Sequence, residues 1–488
     1  MASNKLIVKI ILWIIALLLL AAVSYGSFFI YKTYSLGNKI TFVPKEENGL
    51  WSTLKSFSSN DANNLRGAEK GRINILMLGI AGKGKPGQNL TDTIMIASIN
   101  PKTNQVALLS IPRDLHTEIP NSNISMKINS VYQFALNNSN HQEKEASEIV
   151  KKTISSITDL PLDYYVIMNF DGFVKVIDAI GGVNITSERD IYDPRYPGPN
   201  YSYETFELKK GFHHLDGATA LKYARERHND PEGDFGRAKR QQQILQATKN
   251  KVFSAGTAIN LRAVNDIFNA LGDNIRTDIP PEDLESFFNL ARKADTNNIN
   301  NVVIDAWNKE SLLKVSHIFY QDKRAFILVP RVGNWSEVQE TAQEIFDLNK
   351  IKRRKEEIAK EKANVAVINK SGYSLLASRI KNLLSDNFNY KNVIALNDSS
   401  SVLEEKTIVY DLTSGTKPFT LDELIIKLPS YASYSLPEEY KKTVQNTSPD
   451  IVIVLGKDIV EKYNKEEDSI EDYRNSTDAN EYSEFRNE

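Results

Sequence analysis

Ile-Asn-Ile-Leu-Met-Leu-Gly-Ile, residues 73 to 80, is followed by Thr93 to Ile99 and Gln105 to Ile111, three short runs dominated by Ile, Leu, Met and Val. Runs of this length and composition read as buried strands. Toward the C-terminus, Lys144 to Ile157 carries a helical pattern, Tyr164 to Phe170 a strand pattern, and Phe173 to Ile180 a helix that stops at Gly181-Gly182. Strands interleaved with helices predict an α/β fold, a mixed β-sheet sandwiched by helices, over residues 71–255. Residues 256–350 continue with helical and strand patterns, including Ala325 to Pro330, as an extension of that domain or a small separate one.

Beyond it, Lys-Arg-Arg-Lys-Glu-Glu within 351–363 reads as a charged, solvated linker helix. Residues 364–460 then repeat the alternation on a smaller scale. The strand 364–369, helix Leu375 to Ser385, strand Val393 to Asn397, strand Thr407 to Tyr410, helix Leu421 to Leu428 and strand Ile451 to Leu455 predict a second α/β domain of ordinary size. In the tail 461–488, nine acidic residues from Glu466 onward face two arginines with little apolar content, which predicts disorder. At the other end, Ile10 to Tyr31 contains no charged residue. At about 1.5 Å per residue this run matches the roughly 30 Å hydrocarbon thickness. Lys5 and Lys9 in the leader 1–9, and Trp13, Tyr25 and Tyr31 near the span's ends, favour a single-pass anchor with a cytoplasmic N-terminus. The run is longer than a signal-peptide core, so an uncleaved anchor is preferred to a cleaved signal. Residues 32–70 read as a stalk.

With no cysteine, the chain has no disulfide framework, thiolate metal site or Cys nucleophile. Sixty basic residues against 62 acidic ones give no global attraction to nucleic acid or anionic membrane. Any anion site must be local. The candidate is Asp216 to Gln243, where four arginines, several carboxylates and Gly233 and Gly236 are packed together. In an extended segment Arg225 and Arg227 leave on one face, and Arg237 and Gln241 share one side of a helix expected over Phe235 to Val252. Guanidinium forks suit phosphate oxygens, so convergence across the glycine turn suggests a phosphate or pyrophosphate ligand. The plainer alternative, a solvated charged face, loses weight because these charges alternate with apolar and glycine positions.

Three further pieces fall at expected strand ends. After the first strand comes Ala-Gly-Lys-Gly-Lys-Pro-Gly, residues 81 to 87, whose glycine spacing is not that of a nucleotide-binding loop. Asp92 precedes the second strand and Arg113 follows the third. A carboxylate there can hold Mg²⁺, although alone it reads as a turn former, and Arg113 alone as a partner of Asp114.

Together the motifs Asn-Ile-Leu-Met-Leu-Gly-Ile, Thr-Asp-Thr-Ile-Met, Leu-Leu-Ser-Ile-Pro-Arg-Asp, Lys-Ile-Asn, Leu-Lys-Tyr-Ala-Arg-Glu-Arg and Gly-Asp-Phe-Gly-Arg-Ala-Lys-Arg-Gln-Gln resemble the LytR-CpsA-Psr family over about residues 72 to 250. Asn364 to about Leu455 resembles the small C-terminal domain of some members. The resemblance implies a membrane-anchored enzyme that attaches glycopolymers from polyprenyl-pyrophosphate carriers to peptidoglycan. It also implies an arginine pocket with Mg²⁺ beside it and a hydrophobic tunnel for the lipid. Carried over by motif, Arg113, Arg225, Arg227, Arg237 and Gln241 match pyrophosphate-binding positions, Asp92 a magnesium carboxylate, and Asp234 a partner that orients arginines.

Two positions depart from the family pattern. Ala81 stands where a second metal carboxylate is usual, and Leu90 where a phosphate arginine is usual. Lys83 and Lys85 are candidates to replace part of that charge as point charges. The alternatives are a non-catalytic binder of lipid pyrophosphates or wall polymers, and a lipid pyrophosphatase. A nucleic-acid-binding regulator fits poorly, since the chain carries no helix-turn-helix pattern or basic, aromatic-interleaved surface.

Overall fold

β1 (Ile73–Ile80) buries Leu76 and Leu78 on one face and turns Ile75 and Met77 to the other, the two-residue period of a strand covered on both sides. It pairs antiparallel with β2 (Thr91–Ile99), which pairs antiparallel with β3 (Gln105–Ser110). Tyr164–Asn169 adds parallel to β1, and Ile275–Thr277 closes that edge. Asp295–Val303 adds parallel to β3, which completes a six-stranded mixed sheet. These relations come from a computed structural model that describes residues 65–463 except 199–201, 228–229, 254–271, 281–282, 307–310, 321–322, 389, 397–401 and 429. The expected span Ile10 to Tyr31, most of the stalk and the acidic tail from 464 lie outside the described residues.

Helices cover both faces, as the alternation of patterns predicts. On one side Glu143–Thr158 presents buried Ala146, Val150, Ile154 and Ile157 at three- to four-residue intervals to Leu76, Ile96 and Leu109. Each large aliphatic side chain so buried contributes about 1.5–3 kcal/mol. On the other side, Leu245 of helix Gly233–Phe253 packs with Met95, Ala97 and Leu108. The edge strands Ile275–Thr277 and Asp295–Val303 bring part of residues 256–350 into this same sheet.

Several boundaries differ from the expected ones for local reasons. The helix expected from Phe173 begins at Phe170, because the Asn169 side chain accepts the Gly172 N–H at 2.8 Å and caps it. Four further strands, Val183–Ser187, Ile191–Pro197, Tyr203–Leu208 and Gly211–Leu215, pair in twos beside the main sheet. The C-terminal unit is a five-stranded sheet ordered Asn392–Leu396, Asn364–Asn369, Ile451–Leu455, Ile408–Asp411, Tyr431–Ser433, with only Ile408–Asp411 antiparallel to Ile451–Leu455. It docks on the first unit through Lys427, whose Nζ lies 3.1 Å from Glu340 and whose carbonyl accepts Asn334 at 2.6 Å.

What positions the site is the strand direction. Ile80 pairs with both Asn169 and Thr91, and Ser110 with Val303. The carboxyl ends of β1, β3, Tyr164–Asn169 and Asp295–Val303 therefore meet the start of β2 along one rim. Ligands of open α/β sheets gather on such a rim.

Candidate anion-binding site

At the top of β1, Gly79 faces Thr93 and Ile80 faces Thr91, which leaves Asp92 as the extra residue of a β-bulge. A bulge re-aims the side chain it carries. Gly79 permits the close strand approach, since a Cβ there would lie 2.9 Å from that of Thr93. Asp92 Oδ1 accepts Nη1 of Arg113 at 2.9 Å, and the same guanidinium donates through Nε to Oδ2 of Asp234 at 2.8 Å. Arg237 donates to Asp234 at 3.2 Å and to the Asp92 carbonyl at 3.1 Å, and Arg227 reaches Oδ1 of Asp234 at 3.4 Å. Asp234 is thus the hub of three guanidinium groups.

Burial alone would raise the pKa of Asp234, but Arg113, Arg237 and Arg227 overcome it and hold the carboxyl far below its ordinary range. The same balance, with Arg113 the main attraction, lowers Asp92. Burial also lowers the pKa of Arg237, Asp234 offsets that, and the Arg113 and Arg227 charges add to the lowering. Three like charges held this close leave a site that gains from a bound anion.

Local folding explains which arginines take part. Helix Gly217–Arg225 is capped by Asp216, which accepts the Thr219 N–H at 2.8 Å, and ends as Glu226 turns to extended backbone. Glu226 points inward to Arg240 at 3.2 Å, while Asp230 bridges Arg240 and Arg189. Arg240 also donates to the Tyr223 carbonyl at 2.9 Å, so this fourth arginine holds the turn together instead of facing the rim. The expected extended segment holds only in part. Arg227 joins the hub, but Arg225 closes the helix, with its guanidinium 4.3 Å from the Phe170 ring centroid and 5.7 Å from that of Tyr196. Phe170 follows the strand end at Asn169, so Arg225 stands on the same rim.

The remaining sequence candidates are placed as follows. Gln241 donates to the Ala224 carbonyl at 3.2 Å and so ties the long helix to the end of the arginine-bearing one. Lys85 pairs with Asp171 at 2.6 Å, next to Phe170, while Lys83 is exposed on the glycine loop. Two side chains carry more than their sequence positions suggest. Asp114 lies 3.5 Å from Arg113 and 2.8 Å from Lys127, and it lines a small cleft with Asp234, Phe235, Phe326 and Leu328. The Lys-Ile-Asn motif was the only sequence signal for Lys127.

Among the described residues, no group of three or more His, Asp or Glu is arranged to hold a metal ion. All of the Asp234 carboxylate is taken by arginine, Ala81 is buried at the end of β1, and Asp92 is already bound through one oxygen to Arg113. A single remaining carboxylate oxygen amid guanidinium groups is a poor donor set for Mg²⁺, which takes oxygen ligands in a near-octahedral shell. The expected magnesium carboxylate therefore reads here as a guanidinium partner.

The fold and rim define an α/β protein with a cluster of guanidinium groups gathered at the strand-end rim. The model of the LytR_cpsA_psr family matches residues 31–325, and the chain belongs to that family. Over 276 residues it is 29% identical to a polyisoprenyl-teichoic acid–peptidoglycan teichoic acid transferase TagU of Bacillus cereus (strain AH820), covering 57% of this chain and 81% of the relative. The TagU of Enterococcus faecalis (strain ATCC 700802 / V583) is 28% identical over 287 residues, covering 58% and 83%. Among solved structures, B. subtilis TagV is similar with 26% identity and a TM-score of 0.44, covering 57% of this chain and 98% of TagV.

Proposed function

We propose that this protein transfers a glycosyl-phosphate group from a polyprenyl-pyrophosphate carrier to a hydroxyl of peptidoglycan. It would work outside the cytoplasm, anchored by Ile10 to Tyr31. The observation that carries this reading is the convergence of Arg113, Arg227 and Arg237 on Asp234 at the strand-end rim, with Arg225 alongside. Family membership and the transferase relatives support the choice of substrate class.

In the proposed step, the acceptor oxygen attacks the phosphorus next to the sugar. The bond from that phosphorus to the bridging oxygen breaks, polyprenyl phosphate leaves with the electron pair, and the acceptor proton passes to solvent. The product is a phosphodiester. Such transfer depends mainly on positioning and charge neutralisation. Arg113, Arg227 and Arg237 would hold the equatorial oxygens, Arg225 on its Phe170 platform would meet the leaving phosphate, and Lys83 and Lys85 would add point charges at the mouth.

One observation favours a second reading, a binder without turnover. Among the described residues, Asp92, Asp114, Glu232 and Asp234, carboxylates of the rim and cleft, are all ion-paired, which leaves none of them free as a proton acceptor. Incubation of the protein with a polyprenyl-pyrophosphate oligosaccharide and peptidoglycan fragments, followed by mass spectrometry, separates the readings. Attachment lost in Arg225→Ala/Arg227→Ala supports transfer. Polyprenyl phosphate release without attachment means hydrolysis, and binding with neither means a scaffold.

A further inference from the structure

We infer that the rim binds its diphosphate without a divalent cation, and that Asp92 serves to orient Arg113 instead of holding a metal. The inference rests on the proposed function, because it concerns the same lipid diphosphate.

Two observations lead to it. The first is the use of the carboxylates. Asp234 gives both oxygens to arginine, with Arg113 and Arg237 on Oδ2 and Arg227 on Oδ1. Asp92 gives Oδ1 to Arg113 and its carbonyl to Arg237. Position 81, the residue after β1, is a buried alanine that offers no oxygen from its side chain. Of the four Asp92 and Asp234 carboxylate oxygens, one would remain for a cation here, and it would face the guanidinium groups of Arg113 and Arg237.

The second observation is the charge balance. Arg113, Arg225, Arg227 and Arg237 supply four positive charges at the rim, and Asp92 and Asp234 remove two, while Asp114 and Lys127 pair with each other. Both carboxylates are ion-paired to arginine. Among these groups a surplus of two positive charges is left, before exposed Lys83 on the glycine loop is counted. A diphosphate diester carries one ionised oxygen on each phosphorus, so it neutralises that surplus alone. A divalent cation would restore the excess.

Asp92 then has a different task. With its bulged backbone it pins Nη1 of Arg113 while Asp234 pins Nε, and the two contacts fix the plane of the fork. A guanidinium held in one plane is set for bidentate contact with phosphate oxygens.

The test uses the full-length chain in detergent micelles, stripped with chelator, and citronellyl diphospho-N-acetylglucosamine as a diphosphate diester probe. Its affinity is measured by calorimetry in EDTA and in millimolar MgCl₂, for the wild type and for Asp92→Asn. The expected result is wild-type dissociation constants that agree within about threefold in the two conditions. Asp92→Asn should weaken binding equally in both, because the loss is in Arg113 orientation. Binding at least about tenfold tighter with Mg²⁺, with the gain abolished by Asp92→Asn, overturns the inference while leaving the functional reading in place. No binding in either condition overturns both.

Discussion

Replacing Asp234 with asparagine keeps the side-chain shape and removes the charge that Arg113, Arg227 and Arg237 share at 2.8, 3.4 and 3.2 Å. Removal of one partner from a fully buried ion pair costs about 3–5 kcal/mol. Asp234 retains 15% side-chain exposure, and its arginines retain 10, 20 and 10%, so solvent screens part of that loss. An expected destabilisation of about 2–4 kcal/mol follows. At roughly 2 °C per kcal/mol for a domain of this size, Tm should fall by about 4–8 °C. Differential scanning calorimetry of the full-length chain reads this directly. Asp234→Asn also leaves three guanidinium groups without their common anion, so inorganic pyrophosphate should raise the Tm of the variant more than that of the wild type. A Tm within about 1 °C of wild type, or an equal response to pyrophosphate, would refute the hub role.

The same hub sets acid behaviour. Asp234 and Asp92 both titrate below their ordinary value of 3.8, so their stabilisation is present above that pH and is lost as pH falls toward their folded values. Thermal scans should show wild-type Tm dropping below about pH 4, and Asp234→Asn responding less. Gly236→Ala would drive a Cβ into the Asp230 carboxylate that bridges Arg240 and Arg189. Overpacking of this kind costs about 1–3 kcal/mol, visible as a lower Tm together with weaker diphosphate binding. Arg225→Ala/Arg227→Ala removes two charge-assisted phosphate contacts at about 1.5–3 kcal/mol each, so calorimetric affinity for the diphosphate diester should fall by at least about a hundredfold. Lys83→Ala/Lys85→Ala should weaken it far less, about two- to fivefold, since Lys85 already pairs with the exposed Asp171. Unchanged affinity would remove the lysines from the site.

Much of the fold was legible because its main strands are buried on both faces. β1, β2 and β3 therefore read as near-continuous apolar runs. The edge strand Asp295–Val303 was not legible. Its sequence Asp-Thr-Asn-Asn-Ile-Asn-Asn-Val-Val lacks a strand signal, and it becomes a strand by pairing with β3. Val183–Ser187 did carry a signal, buried Val183 and Ile185 alternating with exposed Asn184 and Thr186, but over too few residues to outweigh a turn.

In the site, fork chemistry singled out Arg227 and Arg237 from the sequence, and the family motif added Arg113. Their common partner Asp234 lies 121 residues from Arg113, and only tertiary closure joins them. Arg240 shows the limit in the other direction. It follows Arg237 by three residues on one helix, close enough in angle to share a face, yet the buried Asp230 and Glu226 draw it inward. The bulge at Asp92 depends on strand register, which sequence does not specify.

Bond cleavage distinguishes the proposed chemistry from its rivals, so the decisive measurement follows oxygen-18 placed in the bridging position of the polyprenyl-diphosphate oligosaccharide during reaction with peptidoglycan fragments. Attack on the sugar-side phosphorus predicts labelled polyprenyl monophosphate and a peptidoglycan product joined through an unlabelled phosphodiester, both absent in Arg225→Ala/Arg227→Ala. Release of labelled polyprenyl diphosphate with the sugar joined directly by a glycosidic bond, or product formation independent of the arginines, would contradict it.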